Sequence, residues 1–224
     1  MNQLIFRAIG VILLIITFPL FLLISFLIFL IDGLPVFYFD KRMGIQFKPF
    51  FLIKFRTMHQ NNGSLITSND DKRISRLGNI LRKLKLDEIP QLINIIKGEM
   101  SFVGPRPESY EIAEKYPHYY NYLNTTRPGV TDISSILFKN ESELIKSNDN
   151  EIFYKNILMP VKSMLAFLFV NNESNILRFN IIILTLLSFI NYKLSVYLIN
   201  KLILKNSEIE IRKELNMIFN TDKF

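Results

Sequence analysis

A chain of 224 residues with a formal charge of +7 has room for one medium domain and a membrane segment, but not for two full domains. It contains no Cys, which excludes disulfides, thiolate nucleophiles and Cys-based zinc sites; His59 and His118 form no spaced ligand pattern, which argues against zinc on histidine. The apolar share of 49% includes 20 Phe and is unevenly spread, and the positive balance points to anionic partners such as phosphorylated substrates, acidic headgroups or nucleic acid.

From Ala8 to Ile31 there is no charged residue. As a helix this stretch is about 36 Å long, enough for a bilayer core. It runs into Ile31-Asp32-Gly33-Leu34-Pro35 without a small-residue cleavage site, so it reads as a retained membrane segment and not as a signal peptide. Pro19 falls near its middle, where a missing N–H and a clash with the preceding turn kink a helix. Two forms are open: a kinked helix that spans the membrane, and a re-entrant helix that enters and leaves on one face. Lys41, Arg42, Lys48, Lys54 and Arg56 follow the segment and assign that side to the cytoplasm.

Next, Pro35 to Phe39 and Pro49 to Arg56 read as two strands of a hairpin, joined by a polar turn from Asp40 to Phe47 that holds Gly44. Asn61 to Asp71 is loop-like. Arg73 to Lys85 places Ile74, Leu77, Ile80, Leu81 and Leu84 at helical spacing among five basic residues, which predicts a basic amphipathic helix. A second helix is expected from near Asp87 to Gly98, a residue suited to helix termination. Met100 to Val103 reads as a short strand, Gly104 to Glu108 as a stiff loop, Ser109 to Asn124 as a Tyr-rich helix, and Arg127 to Thr131 as a turn. In the last third, Ile181 to Ile190 and Val196 to Leu204 are apolar but interrupted by Asn and Lys. They read as helices lying in the membrane interface, with a second span as the alternative.

The chemistry centres on Leu86-Asp87-Glu88-Ile89-Pro90-Gln91. Neighbouring acids on a mid-helix face diverge, but a first turn relaxes this, and Pro90 is tolerated there. Asp87 near an N-cap would be ionised, placed to attack phosphorus or to hold a cation; the plain alternative is an ordinary acidic helix start. Lys54, Arg56, Arg82 and Arg106 come from three separate motifs and can converge on one anionic ligand. Arg106, between Pro105 and Pro107, has a stiff backbone suited to bidentate phosphate binding. Read singly, Pro-Arg-Pro is a structural loop and the basic helix a solvated or headgroup-facing surface.

Lys54-Phe55-Arg56-Thr57-Met58, the Arg82 to Gln91 stretch and Gly98 to Pro107 together resemble the bacterial sugar transferases, the monotopic polyprenyl-phosphate phosphoglycosyl transferases. Gly33 to Phe37, Arg42-Met43-Gly44 and Arg127 to Thr131 are similar to further parts of that pattern, which runs to about Glu143 and more weakly to Asn191. The resemblance implies an α+β, mainly helical fold in three parts. These are a membrane-embedded re-entrant helix over 1–34 bent at Pro19, a cytoplasmic catalytic core with a small β-hairpin over 35–145, and interfacial amphipathic helices over 146–224.

It also implies the reaction. Asp87 would attack the β-phosphorus of a UDP-sugar, release UMP and form an aspartyl phospho-sugar, which undecaprenyl phosphate then attacks. Glu88, with Asp87, would hold Mg²⁺. Lys54, Arg56, Arg82, Arg106, Gln91 and Arg127 would bind substrate phosphates. Residence at the bacterial inner membrane, with the core on its cytoplasmic face, follows from the same resemblance, and membrane glycosyltransferases become possible downstream partners. With no further N-terminal spans in this sequence, the resemblance is to the small members.

Three departures stand out. Phe18 precedes Pro19 where Ser is usual, Asp132-Ile133-Ser134-Ser135 follows Thr131, and Arg178 stands where many relatives carry an acid. The last motivates a second class, a membrane scaffold without turnover. A nucleic-acid binder, motivated by the basic helix, is opposed by the absence of aromatic residues from Arg73 to Lys85.

Overall fold

The computed structural model describes residues 3–59, 73–139, 141, 144, 150–204 and 209–219. The loop expected from Asn61 to Asp71 lies outside them. The fold is mainly helical with two small sheets.

Helix α1 (Gln3–Asp32) is a thirty-residue apolar helix that continues through Pro19. Its best window has a mean hydropathy of 3.0, and it is long and apolar enough to cross a membrane. Thr17, one residue before Phe18, sends its hydroxyl to the Leu13 carbonyl at 2.8 Å. The helix touches the rest of the chain in two places. Near its start, Phe6 packs with Phe50, Leu52, Ile95 and Met100. Near its end, Ile24 and Ile28 are buried with Phe55 and Leu81. Most of the side chains between, including Ile12, Ile15, Ile16, Phe18, Leu22 and Leu23, are exposed.

Strands β1 (Phe37–Met43) and β2 (Pro49–Phe55) form an antiparallel pair running from Phe37↔Phe55 to Met43↔Pro49. The first strand is longer than expected: Asp40 to Met43, read as turn, are in the ladder. The turn tightens to a single 3₁₀ turn at Ile45–Phe47. At the open end of the hairpin, Phe37 and Phe55 pack against Phe21 at 5.6 and 5.0 Å between ring centroids.

The basic helix α2 is shorter than its apolar periodicity suggests, Arg76–Lys83, because the Ser75 hydroxyl caps it by accepting the Gly78 N–H at 2.8 Å. Gly78 lies on the chain leaving β2: a Cβ there would be 2.2 Å from the Thr57 carbonyl oxygen. Backbone cannot yield as a flexible side chain can, so Gly78→Ala is expected to cost about 1–3 kcal/mol, read as a lowered Tm in thermal denaturation.

The second predicted helix divides. Leu86–Glu88 is a 3₁₀ turn, and α3 (Gln91–Lys97) begins only after Pro90. Lys85, in the left-handed region at φ 57°, redirects the chain between α2 and this turn. Gly98 ends α3 at φ 81°, as expected. Asn94, fully buried, fixes α3 to β2 by accepting the Ile53 N–H (3.0 Å) and donating to the Phe51 carbonyl (2.8 Å).

Strand β3 (Ser101–Val103) pairs in parallel with β4 (Gly129–Thr131), which corrects the turn expected at Arg127 to Thr131. Gly104 and Gly129 let the two segments cross, since a Cβ on Gly129 would lie 2.1 Å from the Gly104 nitrogen. The Tyr-rich helix breaks at Pro117 into α4 (Tyr110–Lys115) and a 3₁₀ helix, Pro117–Asn124. Asp132 caps α5 (Ile133–Leu137) with a reciprocal capping box through Ser135.

The remaining helices are α6 (Asn150–Phe153), a π-turn (Tyr154–Leu158), α7 (Met159–Asn171), α8 (Asn175–Ile190), α9 (Tyr192–Leu202) and α10 (Ile209–Phe219). The 146–224 region is not peripheral throughout. From α7, Met159, Val161, Leu165, Ala166 and Phe169 are buried in the main core, which Ile211 and Leu215 of α10 join. Among the described residues of this region, α8 and α9 turn a broad apolar face outward, with Ile176, Phe179, Leu186, Ile190, Leu194 and Tyr197 exposed.

Candidate active site

Three segments meet at the acidic pair. The hairpin supplies one face: Tyr38, Asp40, Arg42 and Lys54 share a side of the β1–β2 ladder, because side chains alternate and cross-strand partners point together. The 3₁₀ turn after α2 supplies Asp87 and Glu88. The loop leaving β3 supplies Arg106.

Arg106 is held from several directions. Its N–H donates to Asp132 Oδ2 at 3.3 Å, and Gly129 N–H donates to the Pro105 carbonyl at 3.0 Å. Its guanidinium donates to the Val130 carbonyl (3.4 Å) and to Glu88 Oε1 (2.8 Å). Arg42 bonds the Asp40 carboxylate (2.8 and 2.5 Å) and donates to the Pro107 carbonyl (3.1 Å), so the hairpin grips the same loop.

The electrostatics separate the two acids. Burial alone would raise Glu88, but Arg106, Lys54 and Lys85 outweigh it and hold its carboxyl below the usual range. Arg106 is raised, chiefly by Glu88, so this pair stays ionised. Asp87 moves the other way: burial and the neighbouring Glu88 charge raise its carboxyl, opposed by Lys54, Lys85 and Arg82. Burial lowers the Lys54 ammonium to about 8, against the pull of Glu88 and with the push of Arg106.

Asp87 is 8% exposed and its Oδ1 has no hydrogen-bond partner; the Nε2 of fully buried Gln91 is also unpartnered. Orphaned buried polar atoms are uncommon in folded proteins. Here two occur four residues apart at the start of α3, beside cations. Arg82 reaches the same region from α2, donating to Thr57 Oγ1 at 2.9 Å and contacting Met58 Sδ at 3.0 Å.

Of the sequence-expected residues, Lys54, Arg82, Asp87, Glu88, Gln91 and Arg106 are thus assembled. Arg56 and Arg127 are not among them. Arg56 donates to the Asp32 and Gly33 carbonyls at 2.5 and 2.7 Å, closing the carboxyl end of α1. Arg127 donates to the Gly98 carbonyl at 2.9 Å, at the far end of α3. Arg42, Asp40 and Asp132 were not singled out by sequence; the hairpin alternation that places Lys54 also places Asp40 and Arg42. Arg178 is structural. It donates to the Val103 carbonyl at 2.6 Å and pairs with Glu173 at 2.5 Å, bracing the strand from which the Arg106 loop departs.

For a divalent cation, Asp87 offers a carboxylate oxygen without a partner, while Glu88 Oε1 is already engaged by Arg106. Hard oxygen donors of this kind suit Mg²⁺. Among the described residues no group of three or more acidic or imidazole side chains forms a self-sufficient metal cage, so substrate oxygens would have to complete the coordination.

A buried acidic pair thus sits among fixed cations in a chain that also carries a long apolar helix. Residues 1–192 match the bacterial sugar transferase family, and the chain belongs to that family. It is 35% identical over 109 residues to a UDP-N-acetylgalactosamine-undecaprenyl-phosphate N-acetylgalactosaminephosphotransferase of Aeromonas hydrophila, covering 46% of this chain and 26% of that protein. It is 33% identical over 156 residues to a UDP-glucose:undecaprenyl-phosphate glucose-1-phosphate transferase of Xanthomonas campestris pv. campestris (66% and 32% covered). Against the exopolysaccharide production protein ExoY of Sinorhizobium fredii the identity is 37% over 151 residues (59% and 67% covered). The matched part is therefore about a quarter of the Aeromonas protein and a third of the Xanthomonas one.

Proposed function

We propose that this protein transfers a sugar phosphate from a UDP-sugar to undecaprenyl phosphate, giving undecaprenyl diphosphate sugar and UMP, with Asp87 as nucleophile. The observation that carries the assignment is the buried, unpartnered Asp87 Oδ1 beside Glu88, Lys54 and Arg82. In the first step the Asp87 carboxylate forms a bond to the β-phosphorus, and the bond from that phosphorus to the bridging oxygen of UMP breaks. UMP leaves with the electron pair, and no proton need move. In the second step an oxygen of the lipid phosphate attacks the same phosphorus and Asp87 returns as carboxylate. Burial and the Glu88 charge raise the basicity of Asp87 and thereby its strength as a nucleophile. Lys54, Arg82 and Arg106 neutralise phosphate charge as it shifts toward the leaving group. Mg²⁺, held by Asp87 and near Glu88, would supply further charge neutralisation on the diphosphate.

The helices fit a lipid acceptor. Helix α1 packs at both Phe6 and Ile28 on one folded body, which supports a re-entrant course with both ends on the cytoplasmic face of the inner membrane. The outward faces of α8 and α9 support an interfacial position. Membrane glycosyltransferases that extend lipid-linked sugars would consume the product.

The test is UMP release from a panel of UDP-sugars by lipid-embedded protein with undecaprenyl phosphate and Mg²⁺. Release from one donor or a related few, lost with EDTA, is expected. Folded protein that releases no UMP from any donor overturns the proposal. The pH profile follows from Lys54: it is an ammonium below about 8 and a neutral amine above. Since kcat/KM reports the free enzyme, it is expected to fall as pH rises through about 8. Lys54→Arg, charged throughout, removes that fall; an unchanged profile contradicts the role.

A further inference from the structure

At the end of α3 opposite the acidic pair, the chain gathers a second set of cations. Arg7 Nη2 donates to the Lys97 carbonyl at 3.1 Å, and Arg127 Nε donates to the Gly98 carbonyl at 2.9 Å. Two guanidiniums therefore sit on consecutive carbonyls of one helix end. Gly98 leaves room for this: a Cβ there would lie 2.1 Å from Arg7 Nη2, and the guanidinium would have to move aside. Lys97, whose carbonyl holds Arg7, is itself exposed.

A seven-residue helix does not need this much positive charge at its carboxyl end. Among the described residues no carboxylate lies within ion-pair distance of Arg7, which is exposed and uses a single side-chain bond. Burial and the charge of Arg7 together lower Arg127, as expected of like charges brought close. Glu99, the nearest acid in the sequence, is turned inward, where it accepts from Asn94 at 2.7 Å.

The surroundings are apolar. Leu4, Ile5 and Ile12 of α1 are exposed around Arg7 along the helix. The neighbouring Phe6 ring has the Arg178 guanidinium at 5.7 Å, which brings in the start of α8 with exposed Ile176 and Phe179. The cations thus lie where two outward apolar surfaces approach, the arrangement expected at headgroup depth in a bilayer. Gln91 to Lys97 separates them from the acidic pair by about 10 Å of helix.

We propose that Arg7, Lys97 and Arg127 form a binding site for the phosphate of an anionic phospholipid headgroup, separate from the Asp87–Glu88 centre. Guanidinium forks suit a phosphate, and the apolar flanks suit acyl chains. The occupant is a lipid and not a free anion because the cations adjoin exposed apolar helix surface. It is a bulk phospholipid and not the acceptor because the acceptor's phosphate must reach Asp87.

The test is lipid retention by the full-length, detergent-purified protein in native mass spectrometry, without nucleotide sugar, so the result is independent of the proposed reaction. Phosphatidylglycerol, phosphatidylcholine, undecaprenyl phosphate and free glycerol phosphate are titrated separately and in competition. Wild type is expected to retain phosphatidylglycerol over phosphatidylcholine. Lys97→Gln, which leaves both helix-end hydrogen bonds in place, should lose about five-fold in that preference. Arg7→Gln with Arg127→Gln should abolish it, and Arg7→Lys with Arg127→Lys should keep part of it. Equal retention of both phospholipids overturns the proposal, as does an undiminished preference in Lys97→Gln and the folded double Gln variant. Binding of glycerol phosphate as tight as that of lipid assigns a free-anion site, and displacement of phosphatidylglycerol by undecaprenyl phosphate assigns the cations to the acceptor. Either result also overturns the proposal.

Discussion

Asp87→Asn is expected to reduce UMP release by about 10³-fold or more while the protein stays folded, since loss of a covalent nucleophile removes the two-step route. The substitution is nearly isosteric, and it replaces a carboxyl whose charged form is opposed by burial and by Glu88. Stability should therefore hold or rise slightly, and this separates chemistry from folding: activity falls while Tm does not. A second readout comes from omitting the acceptor. Wild type should release about one equivalent of UMP and retain the phospho-sugar on the peptide carrying Asp87, detected by mass; the variant should do neither. Full activity in Asp87→Asn removes the nucleophile assignment, and release that strictly requires the acceptor argues for direct transfer.

The second large effect is at Arg106. Arg106→Gln leaves Glu88, 11% exposed, without its 2.8 Å partner. Breaking a fully buried pair costs about 3–5 kcal/mol, but the Arg106 side chain is 36% exposed, so about 2–3 kcal/mol is expected. Activity should fall about 10²- to 10³-fold, as for loss of one fixed donor to a developing phosphate charge. The pH dependence of stability should also shrink. In the wild type Glu88 is held below its unfolded value, so its contribution is present at neutral pH and lost as pH falls through the folded pKa. Without Arg106, burial is opposed by Lys54 and Lys85 alone, so the Glu88 carboxyl moves up toward its unfolded value and this contribution shrinks. Arg106→Gln with Glu88→Gln should restore most of the stability and none of the activity. Restored activity would reduce the pair to a structural brace.

The long apolar helix was legible because an uncharged run from Ala8 to Ile31 has few structural readings, and the stop at Gly98 because a positive φ is recorded in residue type. The acidic pair and the Pro-stiffened Arg106 were legible as motifs. Arg56 misled for a geometric reason: alternation from Lys54 puts it on the same face, but β2 ends at Phe55 and the side chain turns to the end of α1. Arg127 misled because Arg-Pro-Gly signals a turn locally, whereas β4 exists only through pairing with Ser101 to Val103. Such a strand has almost no local signature, and the position of Arg127 depends on it. The helices from Asn150 to Asn171 were expected only as part of the amphipathic block over 146–224, because α7 is apolar on nearly every side and has no amphipathic period of its own. Asp132 stood out in the sequence only as a departure from the family pattern; its cap on α5 and its hold on the Arg106 backbone appear only in three dimensions.

The two-point docking of α1 has a consequence for biosynthesis. Phe6 rests on Phe50, Leu52, Ile95 and Met100, and Ile28 on Phe55 and Leu81, all of which lie later in the chain. At bacterial or slower translation rates, roughly 4–14 s pass between completion of α1 and synthesis of its last partners. During that interval the whole circumference of the helix is apolar surface without a protein neighbour. The lipid, or a ribosome-bound chaperone, is the first thing it meets. The core then assembles onto a helix that has already needed cover, so loss of an early capture step should show as aggregation of nascent chains before any loss of the finished protein's stability.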